Sequence, residues 1–243
     1  CTTTAFVTVN VHPVPPLSIS GPLTGCDGDV TVLFPVGGPF TQYQWSDGQT
    51  GSPAAVDLAA PQSDFSVTAT TAQGCTATAD ISILVFDNPV ANATASPANI
   101  CAGQSSTLTA TGGSLYLWSN SAGTQSTTVS PTTSTTYRVT VTAVDGCLDT
   151  ASVAVNVVQP IAAPVVSCGT ATPNSVTFSW PAVPNATGYS VNVLSGQTGT
   201  LSGTTYTVSG LAPGTNVTIQ VTATSGTICP NTTATFSCAS QSC

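Results

Sequence analysis

Few side chains in this 243-residue sequence could take part in catalysis. It has one His and one Arg, and it has no Lys, no Glu and no Met. A serine, threonine or cysteine nucleophile needs a base such as His and a third group that orients the base. The only His, His12, stands beside Pro13 at the end of a strand-like segment. The sequence indicates no nucleophile and no orienting group that would act with it. We expect a solvated His12, no catalytic residue and no cofactor.

The nine Asp residues fall mostly in turns. Asp27, Asp47 and Asp145 each precede a Gly, and an Asp in such a turn hydrogen-bonds to its own backbone. This pattern favours a structural role over the paired carboxylates of a glycosidase. Asp27 and Asp29 are weak candidates for calcium, which prefers oxygen ligands, but turn formation explains the same residues. We predict no metal site.

The scarcity of charge excludes whole classes of function. Only 4% of the residues are charged, and the formal net charge is -8. Nucleic-acid binding needs Lys and Arg to neutralise phosphates, binding to anionic lipid needs a polybasic patch, and phosphoryl transfer needs basic clamps. The best apolar run, from Ile81 to Phe86, is far shorter than the roughly 18 residues of a membrane span. We predict neither nucleic-acid binding nor membrane insertion.

Nine Cys residues in a sequence without Lys favour an oxidising compartment. No C-x-x-C pair is present, and a single His leaves little for a zinc site. The sequence therefore predicts disulfides in a secreted or cell-surface protein. Because nine is an odd number, at least one Cys pairs outside this sequence or stays free.

The sequence contains an internal repeat of eleven residues. The segment from Cys75 to Val85 aligns without gaps on the segment from Cys147 to Val157, and the first eleven residues, ending at Val11, match both. In each copy β-branched apolar residues alternate with other residues, which is typical of a half-buried strand. We predict that residues 1–12 are the last strand of a repeat that precedes this sequence.

Short strands separated by turns recur along the whole sequence. Before each internal copy, a Cys opens one strand and an aromatic strand follows, Tyr43-Gln-Trp in the first case and Tyr116-Leu-Trp in the second. No stretch has an apolar period of 3.6 residues. Regular short strands closed by Gly, Pro or Asn indicate β-sandwiches, so we predict an all-β fold of tandem sandwiches in an elongated array.

The last part of the sequence resembles a fibronectin type III domain. The resemblance covers residues 161–239 and rests on the strand Ser175-Val-Thr-Phe-Ser-Trp180, the strand that opens with Gly188-Tyr189, and the corner Gly210-Leu-Ala-Pro-Gly-Thr215. The family usually has Tyr two residues after the corner Thr. This sequence has Val217 there, so the hydrogen bond of that Tyr is not expected.

The preceding part, residues 13–159, is similar to the Ig-like or PKD-like repeats of large secreted Bacteroidota surface proteins, which include gliding adhesins and cargo of type IX secretion. The shared motifs are C-x-G, Y-x-W-S-[DN] and G-C-x-x-T-A-x-x-x-V. The resemblances imply Ig-like sandwiches at 13–88 and 89–159, a fibronectin type III domain at 160–239, and the start of a linker or another domain at 240–243.

Two disulfide schemes remain open at this point. Sequence spacing favours bridges inside each sandwich, Cys26–Cys75 and Cys101–Cys147. The topology of an Ig-like sandwich instead places these partners at opposite ends, too far apart for a bridge. It favours pairs across the junctions between domains. In this scheme Cys26–Cys147 and Cys101–Cys229 cross the junctions, Cys168–Cys238 forms within the last domain, and Cys1, Cys75 and Cys243 pair outside the sequence.

Several residues are candidates for glycosylation. Asp149-Thr150-Ala151 matches the acceptor pattern associated with O-glycosylation in Bacteroidota, which marks Thr150. Four Asn residues lie in N-x-T sequons: Asn92, Asn185, Asn216 and Asn231.

The composition favours a structural function. A surface of Thr, Ser, Asn and Gln carries little charge, so lateral association meets little electrostatic repulsion. We expect a non-catalytic structural or adhesive segment of an extracellular or cell-surface filament protein that self-associates into a fibre or contacts neighbouring repeats, and that binds surface glycans as a further option. The alternative is a set of ancillary sandwich modules, carbohydrate- or calcium-binding, in a secreted hydrolase.

Overall fold

The computed structural model describes residues 3–242. Within these residues the chain has 21 β-strands and no helix. No helix in this range is therefore available to cross a membrane. Residues 3–16 form no strand, and the first strand begins at Leu17.

Seven strands, β1 to β7, occupy the chain between residues 17 and 86. They are β1 (Leu17–Ser20), β2 (Thr24–Cys26), β3 (Val30–Gly37), β4 (Gln42–Trp45), β5 (Ala54–Asp57), β6 (Gln62–Thr70) and β7 (Thr76–Phe86). One sheet has the order β1-β3-β5 and the other has the order β2-β7-β6-β4. The short strand β2 runs parallel to the end of β7, and the other pairings within the two sheets are antiparallel.

The two sheets of β1–β7 enclose one apolar core. Trp45 and Ile83 lie within it at 2% and 0% exposure. The buried members of this core are Leu33, Trp45, Ala54, Val56, Leu58, Val67, Ile83 and Val85. In β6 and β7 buried or half-buried residues alternate with more exposed ones, as expected for strands with one face toward a core and one toward water.

The next seven strands, β8 to β14, lie between residues 92 and 158. They are β8 (Asn92–Ser96), β9 (Asn99–Cys101), β10 (Ser106–Thr111), β11 (Leu115–Trp118), β12 (Ser126–Val129), β13 (Thr135–Thr142) and β14 (Leu148–Val158). Their sheets have the orders β12-β10-β8 and β11-β13-β14-β9. As in the preceding strands, a three-residue strand runs parallel to the end of a long one: Val158 of β14 pairs with Cys101 of β9.

The last seven strands, β15 to β21, lie between residues 167 and 239. They are β15 (Ser167–Thr172), β16 (Ser175–Ser179), β17 (Gly188–Ser195), β18 (Thr200–Ser202), β19 (Thr205–Ser209), β20 (Asn216–Thr224) and β21 (Thr232–Ala239). One sheet has the order β15-β16-β19-β18 and the other the order β17-β20-β21. The core between them contains Val166, Val176, Phe178, Trp180, Tyr206, Val208, Leu211, Val217, Ile219, Val221 and Cys238.

A glycine allows close backbone approach at equivalent places in the first two strand sets. Gly37 has φ +129, and a Cβ built there would lie 2.0 Å from the carbonyl oxygen of Pro16. Gly112 has φ +113, and its Cβ would lie 2.0 Å from the carbonyl oxygen of Val90. No other residue type fits both the positive φ and the contact. These glycines let the chain segment ahead of each set pack against the end of the third strand of that set, β3 or β10.

The described residues group into two compact units. The first takes in the chain up to Asn92 together with Thr111–Leu117 and Thr140–Ala151, and the second takes in Ala93–Ala110, Trp118–Val139 and the chain from Ser152 onwards. The predicted all-β class, with Ig-like and fibronectin III-like sandwiches in tandem, is confirmed. The predicted boundaries at residues 13, 89 and 160 stay a prediction.

Candidate functional site

The functional groups that the structure brings together are cysteines, which form disulfide bonds. Three disulfides are formed: Cys26–Cys147, Cys101–Cys229 and Cys168–Cys238. Their Cα atoms are 5.7, 5.0 and 5.7 Å apart, respectively, within the range that disulfide geometry allows. The first two bridges join residues 121 and 128 positions apart in the sequence. They are the long-range covalent links of the described chain.

Cys26 is placed by the parallel pairing of β2 with β7. It is the last residue of β2 and stands opposite Phe86, the last residue of β7. The backbone N–H of Asp27 donates to the carbonyl of Phe86 at 2.9 Å and continues the pairing past the cysteine. The sulfur of Cys147 lies 3.9 Å from that carbonyl. The bridge therefore forms at the end of the core-forming strand β7.

Cys147 is placed by a tight turn between β13 and β14. The N–H of Ala143 donates to the carbonyl of Cys147 at 2.9 Å, and the N–H of Gly146 donates to the carbonyl of Ala143 at 3.1 Å. The carboxylate of Asp145 accepts from the N–H of Cys147 at 3.2 Å. Cys147 is fully buried, whereas its partner Cys26 is half-buried.

Cys101 and Cys229 repeat this arrangement. Cys101 ends β9 and pairs with Val158, the last residue of β14. The N–H of Ala102 donates to the carbonyl of Val158 at 3.0 Å, and the sulfur of Cys229 lies 3.2 Å from the same carbonyl. Both cysteines are buried. The same local design thus occurs twice: a cysteine at the end of a short parallel strand, bridged to a cysteine that follows a later strand.

The bridges inside each sandwich, Cys26–Cys75 and Cys101–Cys147, are not formed, and strand geometry gives the reason. Cys75 immediately precedes β7, whereas Cys26 stands beside the far end of that eleven-residue strand. At about 3.3 Å per residue the two cysteines are roughly 36 Å apart along the strand, and a disulfide requires a Cα separation below about 7 Å. Likewise, Cys147 immediately precedes β14, whereas Cys101 stands beside the far end of that strand.

Cys168 and Cys238 staple the two sheets of the last strand set. Cys168 is in β15 opposite Phe178 of β16, and Cys238 is in β21 opposite Val217 of β20. The two strands belong to different sheets. This bridge therefore closes one side of the core that contains Phe178 and Val217.

Cys75 is a free, half-buried thiol. It sits in a turn with the same hydrogen bonds as the turn of Cys147: the N–H of Thr71 donates to the carbonyl of Cys75 at 2.9 Å, and the N–H of Gly74 donates to the carbonyl of Thr71 at 3.0 Å. Cys1 and Cys243, which the sequence also assigns to outward pairing, lie outside the described residues.

The two calcium candidates each accept a hydrogen bond from a backbone N–H, Asp29 within its own turn and Asp27 from a residue distant in the sequence. The carboxylate of Asp27 accepts from the N–H of Ala60 at 2.9 Å, and the carboxylate of Asp29 accepts from the N–H of Cys26 at 3.3 Å. Among residues 3–242, no three His, Cys, Asp or Glu side chains come close enough together to hold a metal ion. His12 is exposed and belongs to the segment without strands.

Asp149 anchors the segment that leads into β8. Its carboxylate accepts from the N–H of Ala91 at 2.8 Å and from the N–H of Thr150 at 2.7 Å. These two backbone N–H groups, that of Ala91 first, hold the pKa of the Asp149 carboxyl below its ordinary value. Thr150, the O-glycosylation candidate, is exposed in β14. The four sequon residues are exposed as well: Asn92, Asn185, Asn216 and Asn231.

Sequence reasoning missed the regularity of the polar faces in the last strand set. On the outer face of β17-β20-β21, rows of hydroxyl and amide side chains stand opposite one another in register, for example Ser190, Thr222 and Thr233. The residues between them in β20, such as Val221, point into the core. The sequence does show that these faces are uncharged, because residues 150–243 contain no Asp, Glu, Lys, Arg or His.

The missing corner tyrosine is compatible with the fold. Val217 is fully buried in the core, where a small apolar side chain fills the position. Two other tyrosines bind backbone groups of the same strand set: the hydroxyl of Tyr206 accepts from the N–H of Gly199, and that of Tyr189 accepts from the N–H of Val183, both at 2.6 Å.

Comparison with solved structures finds chains that are similar at low sequence identity. A chain in a solved structure from a 1.5-MDa bacterial ice-binding adhesin is 15% identical with a TM-score of 0.41, over 96% of this chain and 99% of that chain. An I-band fragment of titin is 11% identical with a TM-score of 0.41, over 93% and 98%. Extracellular domains 3–5 of Drosophila OTK are 12% identical with a TM-score of 0.34, over 90% and 95%. None of these likenesses carries an argument about function.

Comparison of the sequence gives a more specific result for one part of the chain. No curated protein matches the chain. The family model of the fibronectin type III domain matches residues 162–235, the stretch that contains β15 to β20 and the start of β21. This part of the chain is therefore similar to fibronectin type III domains.

Proposed function

We propose that this chain is a non-catalytic structural and adhesive segment of a multi-domain extracellular or cell-surface filament protein, in which it acts as a disulfide-stapled, protease-resistant spacer. One observation carries the proposal: the repeated bridge from the end of a short parallel strand to a cysteine that follows a later strand, seen as Cys26–Cys147 and Cys101–Cys229. An enzyme needs no such repeated covalent link between successive strand sets.

The repeated bridges support stiffness. In the three-sandwich division at residues 13, 89 and 160, each of these bridges joins one sandwich to the next. A covalent link beside the connecting peptide gives two attachments between neighbours, and this restricts bending and twisting about the junction. Interfaces between domains of one chain otherwise permit relative motion by default. A spacer transmits force and keeps a fixed reach only if such motion is limited.

The setting outside the cell is supported by the disulfides. Three bridges in 243 residues persist in oxidising compartments and are rare in the reducing cytosol. The resemblance of residues 13–159 to Bacteroidota surface repeats, and with it export by type IX secretion, is part of the proposal. So are glycosylation at Thr150 and at the sequons, and outward disulfides from Cys1, Cys75 and Cys243.

Self-association into a fibre is supported by the uncharged faces of the last strand set. Its outer faces carry in-register rows of hydroxylated or amidic side chains, as in the row Asn192, Gln220 and Thr235 and the pair Thr177 and Thr207. Two such faces can approach without electrostatic repulsion. The same faces offer hydrogen-bonding groups to neutral surface glycans.

Small-angle X-ray scattering of the oxidised chain tests the spacer. A single compact body of this length has a radius of gyration of about 18 Å, whereas three sandwiches joined end to end, with strands roughly 36 Å long, give roughly 30 Å or more. We expect the larger value. A radius of gyration equal to that of the single compact body would contradict the proposal.

A pair of matched variants tests the role of the bridges. Replacing Cys26 and Cys147 together by Ser should broaden the distribution of interatomic distances in the scattering data. Replacing Cys168 and Cys238 together by Ser is the control, since that bridge links two sheets of one strand set. Equal effects of the two double substitutions would remove the argument for stiffness.

The alternative, ancillary sandwich modules of a secreted hydrolase, differs in what flanks the chain. The native polypeptide distinguishes the two, because further sandwiches support the spacer and a catalytic domain supports the hydrolase. Calcium titration and glycan binding by the isolated chain test the binding functions of the alternative.

A further inference from the structure

The segment before the first strand displays apolar residues to solvent in an alternating pattern. Phe6, Val7, Val9 and Val11 are 92, 86, 77 and 86% exposed, respectively, and residues 3–16 pair with no strand in the structure. Val7, Val9 and Val11 alternate along the segment, and large apolar side chains at every second position are unfavourable to leave in water. Such a segment is typical of a strand separated from its sheet.

The repeat identifies the sheet that this segment fits. In the alignment of the first eleven residues with Cys75 to Val85, Val9 corresponds to Ile83 and Val11 to Val85. Ile83 and Val85 are core residues of β7 at 0 and 3% exposure. The segment thus has the apolar pattern of a seventh strand, which pairs antiparallel with the sixth strand on one side and parallel with the short second strand on the other.

The free thiol of Cys75 points to the same missing partner. Cys147, in a turn with the same hydrogen bonds, is bridged to the cysteine at the end of β2, and Cys229 is bridged to the cysteine at the end of β9. Cys75 lacks only the equivalent cysteine of a preceding strand set. The exposed apolar segment and the unpaired thiol are independent observations with one common explanation.

We infer that residues 3–11 form the seventh strand of another Ig-like sandwich of the same polypeptide, and that Cys75 forms a disulfide with the cysteine at the end of the short second strand of that sandwich. The inference deepens the proposed function and rests on its tandem arrangement. The bridge forms by oxidation of two thiols to one disulfide, with two protons and two electrons passing to the thiol-oxidising system of the export pathway, as for the three bridges already present.

Two spacings along the sequence place the partner cysteine. Cys26 precedes Cys75 by nearly the same number of positions as Cys101 precedes Cys147. Cys1 aligns with Cys75 and Cys147. The partner cysteine should therefore precede Cys1 by the same spacing by which Cys26 precedes Cys75, and this gives a first position for it. The two bridges that follow this design span 121 and 128 positions, and these spans counted back from Cys75 give a second. The positions counted back from Cys1 and from Cys75 overlap. We call the stretch of polypeptide where they overlap the upstream cysteine segment.

Non-reducing peptide mapping of the native polypeptide tests the disulfide. We expect a peptide containing Cys75 to be linked to a peptide from the upstream cysteine segment, and we expect maleimide to label Cys75 in the isolated 243-residue chain but not in the native protein. A native Cys75 that reacts with maleimide, or that is linked elsewhere, would overturn the inference.

Hydrogen exchange tests the strand. Backbone amides of residues 3–11 should exchange at least 10-fold more slowly in the native polypeptide than in the isolated chain. In the native protein, Val9→Asp should abolish this protection, whereas Thr8→Asp should leave it, because Thr8 corresponds to the outward-facing Ser82. Equal exchange in both proteins, or equal effects of the two substitutions, would overturn the strand assignment. The scattering test of the spacer does not depend on either result, so the two proposals can fail separately.

Discussion

Cys26 and Cys147 are 121 residues apart in the sequence, yet their Cα atoms lie 5.7 Å apart across a disulfide. This contact depends on two local structures. One is the parallel pairing that puts Cys26 opposite Phe86, and the other is the turn that exposes the Cys147 sulfur to the Phe86 carbonyl. A bridge of this kind constrains the unfolded chain over a long loop, which is the source of most of its stabilising effect.

Removing this bridge should lower stability. Cys26→Ser combined with Cys147→Ser is expected to reduce the free energy of unfolding by about 2–4 kcal/mol, measured as a lower urea midpoint of the transition that reports on Trp45. Cys75→Ser is the control and should shift the midpoint by much less, because Cys75 forms no bridge in this chain. An unchanged midpoint in the double variant would show that the bridge adds nothing.

The chain should resist trypsin until it unfolds. Arg138 is the only Lys or Arg in the sequence and lies within β13, where the N–H of Ser119 donates to its carbonyl at 2.8 Å. We expect no cleavage under native conditions, and two fragments after unfolding and reduction. Rapid cleavage of the folded chain would contradict the placement of Arg138 in a stable strand.

The same digest reports on the disulfides. Cleavage after Arg138 in the unfolded, unreduced chain should leave the fragments linked by two bridges. In a Cys101→Ser, Cys229→Ser variant they should stay linked through Cys26–Cys147 alone. If the fragments of that variant separate on a non-reducing gel, the pairing of Cys26 with Cys147 is wrong.

Substitution of Gly37 should destabilise the first strand set. Gly37→Ala would force a Cβ into the carbonyl oxygen of Pro16 at a positive φ, so we expect a loss of about 2–4 kcal/mol. Gly48→Ala is the matched control, with φ +90 and open space around its Cβ, and should cost about 1–2 kcal/mol. Urea midpoints measure both variants. Equal losses would show that the contact with Pro16 does not matter.

The contribution of Asp149 should depend on pH in a defined direction. Its carboxyl pKa is lowered in the folded chain by the N–H groups of Ala91 and Thr150. A lowered folded pKa means that the stabilisation is present above the unfolded pKa and is lost as pH falls through the folded pKa. Asp149→Asn should therefore unfold at a lower temperature than the parent at pH 7, with the difference shrinking as the pH falls below about 4.

A matched substitution isolates this effect. Asp145→Asn changes a turn carboxylate nearby in the sequence, and Asp145 accepts from the N–H of Cys147 at 3.2 Å, longer than either bond of Asp149. A difference between Asp149→Asn and the parent that stays constant from pH 7 to pH 3 would show that the charge of Asp149 is not what holds Ala91.

Charge placed on the uncharged outer face of β17-β20-β21 should weaken self-association. Thr222→Asp combined with Gln220→Asp adds two like charges to that face, so sedimentation velocity should show less oligomer than for the parent chain at the same concentration and low ionic strength. Ala212→Asp, at an exposed loop residue, is the control. A parent chain that stays monomeric at every concentration would contradict association through this face.

Much of the fold could be predicted because each strand carries its own signal. The alternation of Ile81, Ile83 and Val85 identifies a half-buried strand from the sequence alone, and the repeat of that pattern near residue 150 identifies a second copy. Trp45 and Trp118 occur at matching places in the two copies, and both are buried with the indole N–H donating to a backbone carbonyl at 3.0 Å. Local periodicity carries this information because strand geometry itself has a fixed period.

The sequence by itself determined the fold class, the near absence of charge and the limits that this sets on chemistry, because composition and period 2 alternation are properties of neighbouring residues. It left the partners of Cys26 and Cys101 open between two schemes. Only the tertiary structure decided them, since disulfide formation depends on a Cα separation of a few ångströms between residues more than a hundred positions apart. The in-register polar rows of β20 were decided in the same way, because register between strands is a relation in space that no single segment encodes.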